Sequence, residues 1–175
     1  MSRPLLSLIR DRRGVSAVEF ALLAPVMIAF YFGLAEFCQA FMAQKRVGHV
    51  ASVVADLIAQ ADVVDADEVD DIFSVGELIM RPFPDAPLRQ RVSSVRMESN
   101  NRAEVAWSRG AGLSARGEGT RVTLPAGLLS EGESLIMAEI RYDYDSPVDH
   151  LLPGLTRFEQ TYYLRPRRVE HVIYE

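Results

Sequence analysis

A long apolar run occupies the N-terminal part of the chain. Residues 20–35 are sixteen consecutive positions without a charge, and residues 37–44 add eight more after Glu36. About twenty helical residues cross a hydrocarbon core of roughly 30 Å. The run therefore predicts a membrane-length helix. Pro25 lies inside it, removes one helical hydrogen bond, and should bend the helix.

The helical pattern continues beyond the apolar run. Apolar residues recur at helical spacing up to Ile58, while polar residues such as His49 fall mostly between them. The spacing predicts a single long helix from about residue 16 to residue 60. His49 has no metal-ligand neighbour at a suitable spacing, so we expect a solvated histidine on this helix.

An acidic run follows, with six acidic residues among positions 62–71. The run lacks the glycine-centred ligand pattern of an EF-hand calcium loop. A helix start explains it better, since Asp65 can cap the helix with Glu68 three residues later. The apolar stripe of this second helix should end before Pro82 and comprises Val69, Ile72, Phe73, Gly76, Ile79 and Met80.

Alternating patterns predict strands after the prolines at 82, 84 and 87. A hairpin should turn at Asn101, with Ala103, Val105 and Trp107 on one face of its second strand. Residues 110–119 contain four glycines and predict a loop, followed by a short strand at 121–124. Further strands are predicted at 135–144 and 158–164. The expected fold class is α+β, with the long N-terminal helix packed on a small, mainly antiparallel sheet.

Charged residues are unevenly distributed along the chain. The net charge of −5 argues against nucleic acid as a partner. Four arginines nevertheless precede Gly14, with Asp11 as the one acid among them. By the positive-inside rule, the N-terminus should stay in the cytoplasm and the rest should be exported.

Four regions follow from this pattern. Residues 1–14 form a basic cytoplasmic leader, and residues 15–44 form a hydrophobic transmembrane helix. Residues 45–81 form an extracytoplasmic helical neck, and residues 82–175 form a small β-rich extracytoplasmic domain. An ordinary signal peptide and a lipoprotein signal are both disfavoured, because no Ala-x-Ala site follows the run and Cys38 lacks small residues before it. We expect Cys38 to be a buried small residue rather than an intermolecular bridge.

Glu19 lies just inside the apolar run, where a carboxylate indicates a functional site unless it is a tolerated interfacial charge. The segment from Gly14 through Val15 and Glu19 to Phe20 resembles the prepilin-peptidase site of type IV pilin-like proteins. Its Glu-Phe pair, the following residues up to Pro25, and the later Glu36 are similar to the start of TadE/TadG-like pilus assembly proteins.

The resemblance implies a minor pseudopilin of a Tad-type pilus that is cut between Gly14 and Val15. It implies that Glu19 pairs with the terminal amine of a neighbouring subunit, and that Glu19 and Pro25 lie in assembly contacts. The implied partners are the prepilin peptidase, other pilins and pseudopilins, the inner-membrane assembly platform and membrane lipid. Valine instead of phenylalanine at position 15 leaves N-methylation of that residue open.

Weaker similarities to the same family extend into the β-rich region, at residues 124–129, 142–144 and 162–168. They include Arg165, Arg167 and Arg168. These arginines form either a basic contact patch toward another subunit or, as we prefer, a solubilising turn beside a terminal strand.

Catalytic motifs are absent from the sequence. It has no Gly-x-Ser-x-Gly, P-loop or His-Glu-x-x-His pattern, and it implies no cofactor or metal. The best polar cluster comprises Asp143, Asp145, Asp149 and His150, which loop solvation explains better than catalysis. We therefore expect a non-enzymatic protein. The alternatives are a permanently anchored single-pass periplasmic scaffold or binding protein, and a signal-anchored enzyme.

Overall fold

The structure is a computed structural model that describes residues 14–99, 101–145 and 157–175. Its order of elements confirms the α+β prediction. In chain order the elements are α1 (Val15–Gln60), β1 (Val63–Val64), α2 (Ala66–Met80), β2 (Leu88–Glu98), β3 (Arg102–Ala111), β4 (Ser134–Asp143), β5 (Arg157–Leu164) and β6 (Ile173–Tyr174). Two compact units divide the chain between Gln39 and Ala40.

Two sheets are present in the second unit. The larger is antiparallel, with strand order β3-β2-β4-β5, and the smaller is a parallel pair of β1 and β6. Val92 lies opposite Ala138 at the centre of the larger sheet, and Ala138 lies opposite Tyr162 on the far side. The predicted strands at 135–144 and 158–164 are thus confirmed as β4 and β5.

Both predicted helices form as the apolar spacing indicated. In the second unit, Val50, Val54 and Ile58 of α1 are fully buried. The side chain of Asp65 accepts a hydrogen bond from the backbone N–H of Glu68 at 2.8 Å, so Asp65 caps α2 as predicted. A helix start therefore accounts for the acidic run.

The sheet carries apolar residues on both faces. On one face, α1 and α2 pack over Val92, Ile136 and Ile140 in the larger cluster. On the other face, Val95, Val105 and other residues form a smaller cluster under the segment around Leu129. We call these the helix face and the outer face of the sheet.

A bulge in β3 corrects one predicted side-chain arrangement. Ser94 lies opposite Trp107, but its neighbour Val95 lies opposite Val105, so Ala106 is an extra residue in β3. The alternation of β3 reverses at this point. Ala103 and Val105 pack on the outer face, whereas Trp107 packs on the helix face. The prediction that all three share a face was wrong.

Two other predictions from the pattern need correction. The strand predicted at 121–124 is reduced to one isolated bridge between Glu104 and Arg121, because the backbone bonds to β3 here are irregular. The glycine-rich loop begins only after Ala111, where β3 ends. The residues before it continue the ladder with β2 as far as Gly110.

The C-terminal segment crosses back to the helices, and sequence patterns did not reveal this. The N–H of Arg167 donates to the carbonyl of Ala59, and its guanidinium pairs with Asp56. Arg165 pairs with Glu133. Two members of the suspected basic patch therefore pair with carboxylates of the chain's own segments, and all three arginines are exposed. The solubilising turn stays a prediction.

The ion pair between α2 and β3 makes stability depend on pH. Arg109 donates to both carboxylate oxygens of Asp70, at 3.0 and 2.6 Å. These hydrogen bonds hold the pKa of Asp70 below its usual value, and the charge of Arg109 lowers it further against the effect of burial. Since the folded pKa is lowered, the pair stabilises the fold above the unfolded pKa of about 3.9 and is lost as pH falls through the folded value.

We expect Asp70→Asn to lower stability at pH 7 and to reduce the further loss of stability between pH 5 and pH 2. The measurement is the urea midpoint of the full chain in a non-ionic detergent, followed by the fluorescence of its single tryptophan, Trp107. Asp71→Asn is the matched control, because Asp71 is the adjacent exposed acid of α2. An acid dependence in Asp70→Asn equal to that of the unchanged chain would contradict the prediction.

Candidate functional site

The start of α1 contains the residues that the sequence singled out. Gly14 lies immediately before the helix and is exposed, and a Cβ added to it would meet no atom within 4 Å. Its φ also lies outside the left-handed region. Among residues 14–99, 101–145 and 157–175, no contact therefore requires glycine at position 14. A requirement from outside the chain, such as the active site of a protease, remains an explanation for it.

Val15 and Glu19 lie on one face of α1. The two residues are four positions apart, which corresponds to about 6 Å along a helix axis and a little over one turn. Both are exposed, and the first turn of α1 contains no acidic residue. A cut before Val15 would place a new ammonium at the positive end of the helix dipole, which is unfavourable. Glu19 is the nearest carboxylate within the helix that could offset that charge.

The side chains around this site form an extensive exposed apolar surface. Phe20, directly after Glu19, is 73% exposed. In the most apolar window of eighteen residues in α1, no residue is buried. The large apolar side chains exposed in this unit are Val15, Val18, Phe20, Leu22, Leu23, Val26, Met27, Ile28, Phe30, Tyr31, Phe32, Leu34 and Phe37. By length and composition, α1 is the one helix of the described chain that could cross a membrane.

Pro25 lies within α1, and the helix continues through it without a break. Because proline has no N–H, the carbonyl of Ala21 receives no bond from position 25. Pro25 is exposed, so this part of the backbone is open to a neighbouring helix. A bend at Pro25 stays a prediction.

The outer end of the apolar run differs from the inner end. Glu36 is 3% exposed, whereas Glu19 is exposed. Cys38 is also exposed, so the expectation of a buried thiol was wrong. The buried face of α1 at this level passes through Glu36, Ala40 and Ala43, and Cys38 lies away from these positions.

The other candidate residues of the described chain lie apart from one another. His49 and His171 are exposed on separate elements, and no group of three His, Cys, Asp or Glu side chains that could hold a metal was found in residues 14–99, 101–145 and 157–175. Asp143 is paired with Arg157 rather than with a histidine. Asp149 and His150 lie outside the described residues.

The fold also assembles a group of arginines that sequence analysis missed. They come from β2, the loop after β3, β4 and β5, and the strand register brings them together on the outer face. The members of this arginine face are Arg89, Arg91, Arg116, Arg141 and Arg157. The alternation of charged and apolar residues in β2 and β4 partly indicated this face. The pairing of β4 with β5, which adds Arg157, was not evident from residue spacing.

Comparisons with known proteins bear on the N-terminal helix. Residues 14–56 match the model of a family described as TadE-like protein. Searches of curated proteins and of solved structures gave no match. The matched segment begins at Gly14 and includes Glu19 and Pro25. The TadE-like family is one of pilus components rather than of enzymes. Residues 14–56 therefore form a TadE-like segment, which links this part of the chain to a family of pilus components.

Proposed function

We propose that this chain is a non-enzymatic minor pseudopilin of a Tad-type pilus. A prepilin peptidase cuts the bond between Gly14 and Val15 and releases the basic leader, residues 1–14. The shortened chain then takes part in pilus assembly through α1. Its partners are other pilins and pseudopilins, the inner-membrane assembly platform and the surrounding lipid.

The observation that carries this proposal is the arrangement at the start of α1. An exposed glycine that contacts no other described residue through a Cβ position precedes the helix, and Glu19 lies one turn after the residue that a cut would make N-terminal. The exposed apolar surface follows directly from that point. One short segment thus combines an accessible peptide bond, a carboxylate near the new amine, and a helix surface suited to lipid or to other helices.

The proposed placement is a single pass through the bacterial inner membrane. Arg3, Arg10, Arg12 and Arg13 precede the apolar run, so the N-terminus lies in the cytoplasm by the positive-inside rule. The second unit, which follows the span, then lies in the periplasm. The processed chain then moves from the inner membrane into the pilus.

Glu19 has a defined role in this proposal. Within a bundle of apolar helices, its carboxylate pairs with the terminal ammonium of Val15 in a neighbouring subunit. The attraction between the two charges offsets the free-energy cost of removing each from water, which is high for an unpaired charge. The pair therefore fixes the axial register of adjacent helices.

The test is co-expression of the full chain with an active Tad prepilin peptidase in a host that lacks one. We expect mass spectrometry to find a protein that begins at Val15. A catalytically inactive variant of the peptidase is the control and should leave Met1 or Ser2 at the N-terminus. An uncut chain beside a major pilin cut in the same cells would exclude processing and favour the permanently anchored scaffold.

A further inference from the structure

The arginine face is a network of ion pairs with too few carboxylates. Arg91 donates to both oxygens of Glu139, at 2.7 and 2.8 Å, and Arg116 approaches the same carboxylate at 2.8 Å. Arg157 donates to Asp143 at 2.7 Å, and Arg89 lies 3.8 Å from that carboxylate.

A third carboxylate, Glu159, lies 3.2 Å from Arg141. Five guanidinium groups thus share three carboxylates, which leaves two positive charges in surplus among the described residues. The potential of this surface also acts on Asp143. Its pKa lies below the usual value, first because of the hydrogen bond from Arg157 and then because of the charges of Arg157, Arg89 and Arg141, against the effect of burial.

A shallow cavity opens at the centre of the surplus. Its volume is about 250 Å³, and its lining comprises Arg89, Gly112, Leu113, Arg141, Asp143 and Arg157. The side chains of Arg89 and Arg157 are 49% and 61% exposed. Their guanidinium groups therefore remain accessible to a carboxylate that enters from outside.

A matching surplus of negative charge lies on the other side of the same unit. Five acids are exposed from the end of α1 into α2, and none of them forms an ion pair with a described arginine. Arg109 pairs only with Asp70. The acids of this acidic corner are Asp62, Asp65, Asp67, Glu68 and Asp71. Because α2 packs on the helix face, the acidic corner and the arginine face lie on opposite sides of the sheet. They cannot neutralise each other within one molecule.

We propose that the arginine face binds the acidic corner of a second copy of this chain. Carboxylates of the second copy enter the cavity between Arg89 and Arg157 and complete the network of ion pairs. The choice of occupant rests on charge complementarity, because the chain itself presents an exposed surface of opposite sign.

The resulting contact joins two different surfaces, so it is heterologous. The bound pair as a whole leaves one free arginine face and one free acidic corner, and further copies can add at either end. Such head-to-tail contacts produce open arrays unless the rotation between copies closes a ring. The contact is independent of processing at Gly14, so cleavage and self-association can succeed or fail separately.

Cross-linking with a carbodiimide tests which groups touch, because the reagent joins an amine to a carboxylate without a spacer. Arg89→Lys supplies the amine in the cavity. Equal amounts of ordinary and ¹⁵N-labelled full chain are mixed in a non-ionic detergent and cross-linked. We expect mixed-isotope peptides that join Lys at position 89 to Asp67, Glu68 or Asp71. A link from the same lysine to Asp143 of its own chain verifies that the coupling reaction worked.

Arg96→Lys is the matched control, because Arg96 is exposed at the other end of β2 and outside the arginine face. It should give no mixed-isotope link to the acidic corner. The proposal is overturned if Arg89→Lys gives no intermolecular link, if its intermolecular links go only to carboxylates outside the acidic corner, or if Arg96→Lys gives the same links in equal yield.

Reversal of charge tests whether the contact stabilises association. We expect Arg89→Glu with Arg157→Glu, and separately Asp67→Lys with Asp71→Lys, each to weaken self-association about tenfold in sedimentation experiments. A mixture of the two variants should recover association, since reversed surfaces then meet each other. Association of the unchanged chain should also fall as salt rises from 0.05 to 0.5 M. Association insensitive to both charge and salt would refute the contact.

Discussion

Replacing Glu19 by alanine should abolish incorporation of the chain into pili while leaving cleavage after Gly14 intact. The scissile bond lies at the exposed start of α1, a full turn before Glu19. Removal of the carboxylate leaves the terminal ammonium of a neighbour unpaired among apolar helices. Loss of one partner from a buried ion pair costs about 3–5 kcal/mol, so incorporation should fall by at least about a hundredfold.

The measurement compares the amount of the chain in sheared pili with the amount in membranes, together with the N-terminal residue of each fraction. Ser16→Ala is the matched control, because Ser16 is an exposed neutral residue in the same turn. Glu19→Asp keeps the charge on a shorter side chain and should retain part of the incorporation. Normal incorporation of Glu19→Ala would exclude a pairing role and leave a tolerated interfacial charge.

The parts of the fold that sequence predicted are those set by local periodicity. The apolar positions of α1 and α2 repeat within one element, so each helix could be recognised without knowledge of its partner. The cap at Asp65 depends on a residue only three positions away. The site at Gly14 and Glu19 is equally local, which is why a short motif was enough to suggest it.

The parts that sequence did not predict depend on contacts between distant segments. The bulge at Ala106 moves Trp107 to the helix face, where it stacks on Tyr174 with ring centroids 5.4 Å apart. The alternation of apolar and polar residues in β3 predicts neither the bulge nor the contact between Trp107 and Tyr174. The strands β1 and β6 have only two residues each, and more than one hundred residues separate them. Their pairing depends on the whole fold.

The arginine face illustrates the same limit for a surface. Arg89 and Arg157 lie far apart in sequence, and each alternates with apolar or polar residues in an ordinary way. The antiparallel registers of β2 with β4 and of β4 with β5 bring both to Asp143. A surplus of charge becomes apparent only when the side chains of three strands are counted together.

Replacing Gly76 by alanine should destabilise the second unit, although alanine favours helix formation. Gly76 lies in α2 directly over β2, where a Cβ would overlap Oε1 of Gln90 and approach Cγ1 of Val50 at 3.0 Å. Gln90 is 1% exposed, and its Nε2 donates to the carbonyl of Phe73 at 2.9 Å, so its side chain has little freedom to move. Overpacking of this kind costs about 1–3 kcal/mol, and Gly76→Val should cost more.

Unfolding of the full chain by urea, followed through Trp107, measures this cost, and two variants identify its cause. Gly48→Ala is the control, because a Cβ at that helical glycine meets no atom within 4 Å. It should stabilise the chain by about 0.5–1 kcal/mol. Gln90→Ala removes the atom that the new Cβ would overlap, so Gly76→Ala should cost less in that background than in the unchanged chain. Equal costs in both backgrounds would show that the overlap with Gln90 is not the cause, because the two substitutions would then act independently.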